Sequence, residues 1–420
     1  MSTIIAKETG LDKDTGAWPD NLTEIPYWVF TSDEVFEREQ ERIYRGPFWN
    51  FVGLEDEIPN AGDYKSTYIG ATPVVVTRDE DGDFHGWVNR CAHRGATLCR
   101  QLKGNALTHT CIYHQWAFDA KGDLVGVPFR RGVKGQGGYT EDFKNEDHGL
   151  TKIRVEAYRG LLFGTFDPEL KPVAEYIGST LLPYVDRVLN RPLKFLGTSR
   201  QYGYSNWKLY FENVKDPYHA SLLHLFHATF GILRVSMGGN AIKDDDEGLS
   251  SIITVYTIED EDFSEYKKGD IRSYNEDVKL HDPSILETKK EYDVEYTNSI
   301  NTIFPGLVIQ QIHNTLAARQ IIPKGPGEFE LVFHFFGYSD DDEEMDALRL
   351  KQANLVGPAG YISMEDTEAT ECVQRANDYA PREDRSYIGL GGDSVENANN
   401  LVNENLIRAF WQGYRKIMGY

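Results

Sequence analysis

Two short segments of this chain each combine a cysteine with a histidine at close spacing. The first is Cys91-x-His93 and the second is Cys111-x-x-His114. Thiolate and imidazole groups are the side chains that most often bind zinc, copper and iron in proteins. Two similar motifs that supply four such ligands therefore predict one metal centre shared between two loops.

The mixed pairing of one Cys with one His in each motif favours a Rieske [2Fe–2S] centre. In that centre two Cys bind one iron and two His bind the other, which raises the reduction potential relative to an all-Cys cluster. Zinc motifs usually pair like with like, and a Cys91–Cys111 disulfide would leave both His unexplained. We predict a cluster held by Cys91, His93, Cys111 and His114, and hence a protein that transfers electrons.

A second group of candidate metal ligands lies in residues 206–224. With a carboxylate from elsewhere, His219 and His224 would form a 2-His-1-carboxylate triad, which leaves coordination positions on Fe(II) open for dioxygen. Positions five residues apart differ by about 140° on an ideal helix, so the pair converges only on an irregular helix, for which Pro217 gives a reason. The structural alternative is an Asp216 N-cap, Pro217 at the first helical position, and two ordinary His.

Length and composition restrict the class of protein further. The chain has 420 residues, enough for two or three domains. Its net charge of −22 disfavours nucleic acid and anionic membranes as partners. No apolar run approaches the ~18 residues of a membrane span, and residues 1–20 contain no apolar signal-peptide core. With four Cys and no disulfide framework, we expect a cytoplasmic protein.

The apolar periodicity predicts an α+β fold in three parts. Residues 1–46 form an N-terminal segment that packs on the catalytic domain, residues 47–167 a small all-β domain with two metal-bearing loops, and residues 168–420 a larger antiparallel sheet covered by helices. A helix over 31–45 is predicted to begin with a Thr31/Glu34 capping box. The other predicted elements of the third part are strands at 251–258, 302–312, 315–322 and 328–338, helices at 173–189, 207–230, 345–355 and 406–418, and loops over most of 240–297.

Taken together, the motifs resemble the large (α) subunit of Rieske non-haem iron aromatic-ring hydroxylating oxygenases. The resemblance rests on the two cluster motifs, on Asp216-x-x-His219-x-x-x-x-His224, and on the stretch Gly-Pro-Ala-Gly-Tyr-Ile-Ser-Met-Glu-Asp at 357–366. It covers nearly the whole chain. It implies one Rieske [2Fe–2S] cluster and one mononuclear Fe(II) per chain.

The resemblance also implies roles for individual residues. His219, His224 and Asp366 would bind the mononuclear iron, and Glu365 is the competing carboxylate beside Asp366. Asp216 would bridge the Rieske histidines of one subunit to an iron-ligand His of the next, with Asn213 close to the same path. A carboxylate suits that place because it accepts hydrogen bonds from the outer ring N–H of metal-bound His.

Family membership would make the chain the terminal oxygenase of a multicomponent system. Electrons from NADH would arrive through a reductase, a ferredoxin or both, and O2 would be the second substrate. The implied assembly is α3β3 with a small β subunit, with α3 as the alternative. A Rieske electron carrier without oxygenase chemistry is the alternative from another class, and a Rieske demethylase is the alternative among enzymes.

The substrate is the least determined of these expectations. The segments 126–138 and 210–216 resemble the branch that acts on aromatic carboxylates such as salicylate, anthranilate and terephthalate. Arg319, within an otherwise apolar strand, could clamp a carboxylate through two parallel hydrogen bonds, and Gln311 and His313 are candidate partners for an ortho substituent. Because residues 397–402 are neutral and offer no second cation for a para-dicarboxylate, we favour salicylate or anthranilate, with a terephthalate or benzoate-type dioxygenase as the alternative.

Overall fold

The computed structural model describes residues 16–269, 271–357 and 360–420. Its strands are β1 (Glu24–Pro26), β2 (Asn50–Leu54), β3 (Asp63–Ile69), β4 (Thr72–Arg78), β5 (Phe84–Val88), β6 (Lys103–Asn105), β7 (Thr108–Thr110), β8 (Ala117–Asp119), β9 (Leu124–Gly126), β10 (Lys152–Tyr158), β11 (Leu161–Thr165), β12 (Leu193–Gly203), β13 (Gly238–Lys243), β14 (Ser251–Tyr256), β15 (Asn298–Ile303), β16 (Leu307–Ile312), β17 (Thr315–Gly325), β18 (Glu328–Tyr338) and β19 (Arg385–Tyr387). The α-helices are α1 (Trp28–Thr31), α2 (Asp33–Glu39), α3 (Val173–Ile177), α4 (Leu182–Val188), α5 (Trp207–Asn213), α6 (Pro217–Leu223), α7 (Leu225–Phe230), α8 (Ser264–Lys267), α9 (Glu343–Val356), α10 (Tyr361–Asn377) and α11 (Asn405–Met418).

The first half of the chain forms the small β domain. Seven antiparallel strands pair in the order β2-β11-β10-β5-β4-β3-β6, and β7, β8 and β9 form a separate three-stranded sheet. The core between the cluster loops contains Trp87, Trp116 and Phe118, all buried. The predicted all-β domain is confirmed.

The second half contains a seven-stranded antiparallel sheet in the order β12-β18-β17-β16-β15-β14-β13. Helices α5, α9 and α10 pack against its strands. The long central strands β17 and β18 are buried along almost their whole length, as expected of strands with both faces covered. This arrangement confirms the predicted α+β fold class with a larger sheet-and-helix domain.

The N-terminal segment packs against the second domain through a buried polar group. The Glu39 carboxylate accepts hydrogen bonds from Lys208 Nζ at 2.6 Å, Trp207 Nε1 at 2.8 Å and Tyr414 Oη at 2.5 Å. A buried charge is tolerated only when it is paired and hydrogen-bonded, and Glu39 meets both conditions. The boundaries at 46/47 and 167/168 themselves stay predictions.

Three sequence-based expectations for the fold are wrong in detail. The predicted 31–45 helix is interrupted at Ser32, whose extended backbone and side chain cap α2 in place of Thr31. The predicted strand at 302–312 is a hairpin of β15 and β16, because Pro305 lacks the N–H that a continuous strand needs. The region predicted as loops also contains β13. No helix in the described ranges has both the length and the apolar composition needed to cross a membrane.

Candidate active site

The two cluster motifs lie on loops of matching geometry. In one loop Gly95 N donates to Cys91 O at 2.9 Å, and in the other Gln115 N donates to Cys111 O at 3.0 Å. Both loops need a left-handed residue at the fifth position, which Gly95 and Gln115 supply with φ of 75° and 57°. The loops therefore present a Cys and a His in the same way from two sides.

The side chains of the two loops converge at the tip of the β domain. Cys91 and Cys111 are buried, whereas the His93 and His114 rings are partly exposed with centroids 4.5 Å apart. The His93 ring stacks on Trp116 at 4.7 Å, and its Nδ1 is buried without a protein hydrogen-bond partner. An unpaired imidazole nitrogen beside two buried thiols fits a cluster ligand.

The geometry of these four residues tests both alternatives to a Rieske cluster, a zinc site and a Cys91–Cys111 disulfide. A single zinc ion binds its ligands at about 2.0–2.3 Å, which keeps any two ligand atoms within about 4.6 Å. In the described ranges, one group of three or more His, Cys, Asp or Glu residues has ligand atoms within 4.8 Å of one another. That group lies elsewhere in the chain and includes none of the four cluster residues. Cys91 and Cys111 are free thiols. The four donors are thus not gathered closely enough for a single ion, and the two cysteines are not joined in a disulfide.

The second metal site consists of His219, His224 and Asp366, whose ligand atoms all lie within 4.8 Å of one another. Asp366 Oδ1 is 3.3 Å from His219 Nε2 and 3.1 Å from His224 Nε2. Two imidazoles and one carboxylate are the donor set of a non-haem Fe(II) site. The residues present therefore fit a mononuclear iron.

A break in the helical chain makes this convergence possible. The predicted break at Pro217 is present, because α5 ends at Asn213 and Pro217 begins α6 behind the Asp216 N-cap. His224 itself is extended, with φ −87° and ψ 111°, and separates α6 from α7. Because the chain leaves the helical path at His224, the His219 and His224 side chains do not diverge by the roughly 140° of an ideal helix. Both rings therefore face α10.

Helix α10 distinguishes the two adjacent carboxylates. Asp366 is buried between the imidazoles. Glu365 lies at the rim, where its Oε2 is 2.9 Å from His224 Nδ1. A carboxylate on the outer nitrogen fixes the ring orientation and leaves Nε2 for a metal. This geometry favours Asp366 over Glu365 as the candidate ligand and gives Glu365 a contact that orients His224.

We expect Glu365→Ala to weaken iron binding about 10- to 100-fold without removing a ligand, because His224 Nδ1 loses its acceptor. The measurement is the iron retained per chain after dialysis against increasing concentrations of a chelator. Glu368→Ala is the matched control, since Glu368 is exposed on the same helix. Equal iron retention in both variants would contradict the positioning contact.

The charges at the metal site favour a bound cation. Burial alone would raise the pKa of Asp366, but His224 and His219 hold it well below its usual range. Burial alone would lower the pKa of His219, but Asp216 and Asp366 raise it to about 10. Without metal the site therefore takes up protons, and a divalent cation must displace them, so metal affinity should fall as the pH falls.

Asp216 and Asn213 flank His219. Asp216 Oδ1 accepts from Tyr218 N at 2.8 Å and from His219 N at 3.2 Å, and its Oδ2 lies 3.5 Å from His219 Nδ1. Asn213 Nδ2 lies 3.2 Å from both His219 Nε2 and Asp366 Oδ1. Both residues thus reach an iron-ligand candidate within this chain.

A small cavity of about 60 Å³ opens beside the triad. Its wall is largely apolar, from Val214, Ala220, Leu233, Ile253, Ile300, Ile312 and Ile362. Arg319 on β17 also lines it and is buried. Its guanidinium hydrogen-bonds to Gln310 and, at 3.0 Å, to Tyr210 Oη.

Gln311 and His313 do not reach this cavity, which corrects the expectation for them. Arg319 pairs with Val308 across the sheet, so strand alternation places Gln310, not Gln311, on the side of Arg319. Gln311 instead hydrogen-bonds to Arg187 at 3.1 Å. With His313 it lines a separate cavity that contains Tyr292 and Tyr296.

Two polar residues of the cavity wall were missed by the sequence-based reasoning. His227 on α7 lies one helical turn after His224, with ring centroids 4.9 Å apart. Asn298 comes from β15. Burial, and then the neighbouring His224, lowers the pKa of His227 well below its usual value. The spacing of His227 from His224 was a usable signal, whereas nothing local distinguished Asn298.

The fold and the two candidate centres define an oxygenase with a Rieske domain and a non-haem iron domain, and comparison with known proteins agrees. Residues 48–136 match the family described as Rieske [2Fe-2S] domain, and residues 197–419 match the ring hydroxylating alpha subunit (catalytic domain). The chain belongs to the ring-hydroxylating Rieske oxygenases, as an α subunit. In this family the catalytic domain carries a mononuclear iron.

Three curated relatives match over nearly their full length. The anthranilate 1,2-dioxygenase large subunit of Burkholderia cepacia is 59% identical over 401 residues, covering 96% of this chain and 95% of the relative. The terephthalate 1,2-dioxygenase α 2 subunit of Comamonas sp. is 44% identical, covering 94% and 96%. The salicylate 5-hydroxylase large oxygenase component of Ralstonia sp. is 42% identical, covering 96% of each.

A solved structure supports the fold independently. Naphthalene 1,2-dioxygenase with indole bound superposes with a TM-score of 0.79 at 21% identity, covering 98% of this chain and 95% of that one. The electron-carrier alternative is wrong, because the second domain belongs to a catalytic family. The zinc alternative is likewise wrong, because the first domain is a Rieske domain.

Proposed function

We propose that this α subunit hydroxylates an aromatic monocarboxylate that carries an ortho amino or hydroxyl group, with anthranilate as the substrate and salicylate as the second candidate. The relative from Burkholderia cepacia, the most similar of the three, supports anthranilate. The salicylate relative is more distant.

The observation that carries this proposal is the buried Arg319 in the triad's cavity. Its partners Gln310 and Tyr210 are neutral, and no described carboxylate lies within ion-pairing distance of it. A buried charge without a counter-charge is costly. A substrate carboxylate would supply that charge, and a guanidinium offers it two parallel hydrogen bonds.

The same cavity argues against a dicarboxylate. Among the described residues that line it, Arg319 is the one lysine or arginine. A para-dicarboxylate such as terephthalate would place its second carboxylate against the apolar wall, where an unpaired charge is strongly disfavoured. The lining therefore supports a monocarboxylate.

The residues at the triad would divide the remaining tasks. His219, His224 and Asp366 would hold the ferrous ion, which when bound supplies dioxygen activation at its open coordination positions. Arg319 would fix the carboxylate, and the apolar wall would hold the ring and exclude water. Glu365 would keep His224 oriented through Nδ1.

The residues of the electron path have analogous roles. Cys91, His93, Cys111 and His114 would hold the cluster at an exposed tip that a donor protein can approach. Asp216, 3.5 Å from His219 Nδ1, would bridge a neighbouring subunit's cluster to this iron site. Members of the family work with β subunits and electron-transfer partners. An α3β3 assembly, an NADH-linked reductase or ferredoxin, and a cytoplasmic location remain proposals for this chain.

A single-turnover experiment tests the substrate without the natural electron donor. Chemically reduced holoenzyme is mixed with O2 and one aromatic acid, and the product is quantified per active site by mass spectrometry. We expect conversion of anthranilate, less conversion of salicylate, and little of terephthalate or of N-methyl compounds. Preferential turnover of terephthalate, or demethylation in place of ring hydroxylation, would overturn the proposal.

A further inference from the structure

Two polar side chains in the cavity wall, His227 and Asn298, have buried nitrogen or oxygen atoms without a hydrogen-bond partner. His227 is 4% exposed, and neither of its ring nitrogens makes a hydrogen bond to the described chain. Asn298 is 1% exposed, and its Oδ1 is likewise unpartnered. Both residues line the same cavity as Arg319.

The backbone of Ile232 links the His227 main chain to the Asn298 side chain. Ile232 N donates to His227 O at 3.1 Å, and Ile232 O accepts from Asn298 Nδ2 at 3.2 Å. The second contact fixes the amide orientation, so the free atom of Asn298 is its carbonyl oxygen. The Ala220 backbone lies near the His227 ring, and the nitrogen that does not face it stays available.

An unpaired buried donor or acceptor costs free energy on folding, so these two groups are poorly explained by stability alone. They are not explained by metal binding either, because His227 and Asn298 lie outside the group of converging ligands. A bound ligand that brings hydrogen-bonding groups to this part of the wall explains both.

We propose that His227 and Asn298 bind the ortho amino group of the aromatic carboxylate, and so determine specificity at the position next to the carboxylate. This inference rests on the proposed function. An amino group has two N–H donors, one for Asn298 Oδ1 and one for an imidazole nitrogen, whereas a phenol has one. Benzoate has none and would leave both wall groups unpaired.

The position of the pair suits an ortho group. His227 contacts His224, so it lies at the iron end of the cavity. In the proposed pose, the Arg319 guanidinium holds the carboxylate and the adjacent ring carbon, with its substituent, faces that end. Sites that hydrogen-bond a substrate group reject the analogue lacking it much more strongly than apolar pockets reject a missing methylene.

The test compares anthranilate and benzoate binding to the anaerobic ferrous holoenzyme by calorimetry. We expect His227→Leu and Asn298→Leu each to raise the Kd for anthranilate about 10- to 100-fold, and that for benzoate less than about 3-fold. His227→Gln, which keeps a donor and an acceptor, should restore part of the discrimination. Ile253→Val, on the same apolar wall, should change both Kd values equally.

The ratio of the two Kd values is the deciding quantity, because a structural role would change both together. An unchanged ratio in His227→Leu and Asn298→Leu, or loss of iron from both, would overturn the assignment of the amino-group site. Wild-type enzyme that binds neither acid would instead overturn the proposed function, and with it the inference. If the wild type prefers anthranilate and both variants keep that preference, the amino-group site is refuted while the proposed function stands.

Discussion

Replacing His224 with alanine is expected to remove the mononuclear iron and abolish ring hydroxylation while leaving the Rieske cluster in place. His224 Nε2 lies 3.1 Å from Asp366 Oδ1, and its loss leaves only His219 and Asp366 as iron ligands. The two candidate centres use different residues, one set on loops of the β domain and the other on or beside helices α6 and α10, so the defect should stay local. Iron and acid-labile sulfide per chain, with an EPR spectrum of the reduced protein, measure both centres at once.

Controls separate loss of a ligand from loss of structure. The variant should keep its two cluster irons, both sulfides and the Rieske signal, and should lose one iron per chain relative to the wild type. Asp366→Ala should give the same result, because it removes the third member of the triad. Full hydroxylation with normal iron content in either variant would refute the triad assignment.

Replacing Arg319 with methionine is expected to weaken binding of aromatic carboxylates far more than binding of uncharged aromatics. Removing one partner of a buried, hydrogen-bonded charge pair costs about 2–5 kcal/mol, which corresponds to at least a ~30-fold increase in Kd. Methionine keeps much of the packing against Phe333, whose ring centroid lies 5.2 Å from the guanidinium carbon. The measurement is the Kd for anthranilate and for aniline, which lacks the carboxylate.

Measuring the Kd of anthranilate and of aniline for both the wild type and Arg319→Met isolates the interaction between the guanidinium and the carboxylate. Anthranilate affinity should fall and aniline affinity should change little. Lys324→Met is the matched control, because Lys324 lies on the same strand but pairs with Glu330 at 3.1 Å. Equal losses for both ligands in Arg319→Met would mean that the arginine is structural, and the clamp would then be rejected.

The residue pattern identified most of the chemistry because metal ligands are constrained in type and spacing. The Cys91/His93 and Cys111/His114 motifs needed only local sequence, and the structure shows why, since each pair lies within one tight loop. The helix N-caps at Asp216 and Ser32 also depend on local sequence. The cap of α2 was predicted at Thr31, one residue before its position at Ser32. Short-range geometry of this kind is encoded in a few neighbouring residues.

Deciding which of two adjacent residues faces the site depended on tertiary contacts that the sequence alone does not reveal. Family resemblance, not spacing, favoured Asp366 over Glu365, and only the approach of α10 to α6 shows the difference between them. Gln311 was predicted to contact the substrate, but the pairing of β16 with β17 places Gln310 on the side of Arg319, because neighbouring residues of a strand face opposite sides.

The sequence by itself determined the class of the protein: a Rieske oxygenase whose cluster motifs and candidate iron-binding histidines can be read from short segments. Tertiary structure alone decided that His227 and Asn298 share a cavity with Arg319, that the His227 ring nitrogens and Asn298 Oδ1 are unpaired, and that no described carboxylate pairs with Arg319. The physical reason is that ligand type and loop spacing are local properties. Burial and hydrogen-bond satisfaction depend instead on which distant elements pack together, here α7, β15 and β17.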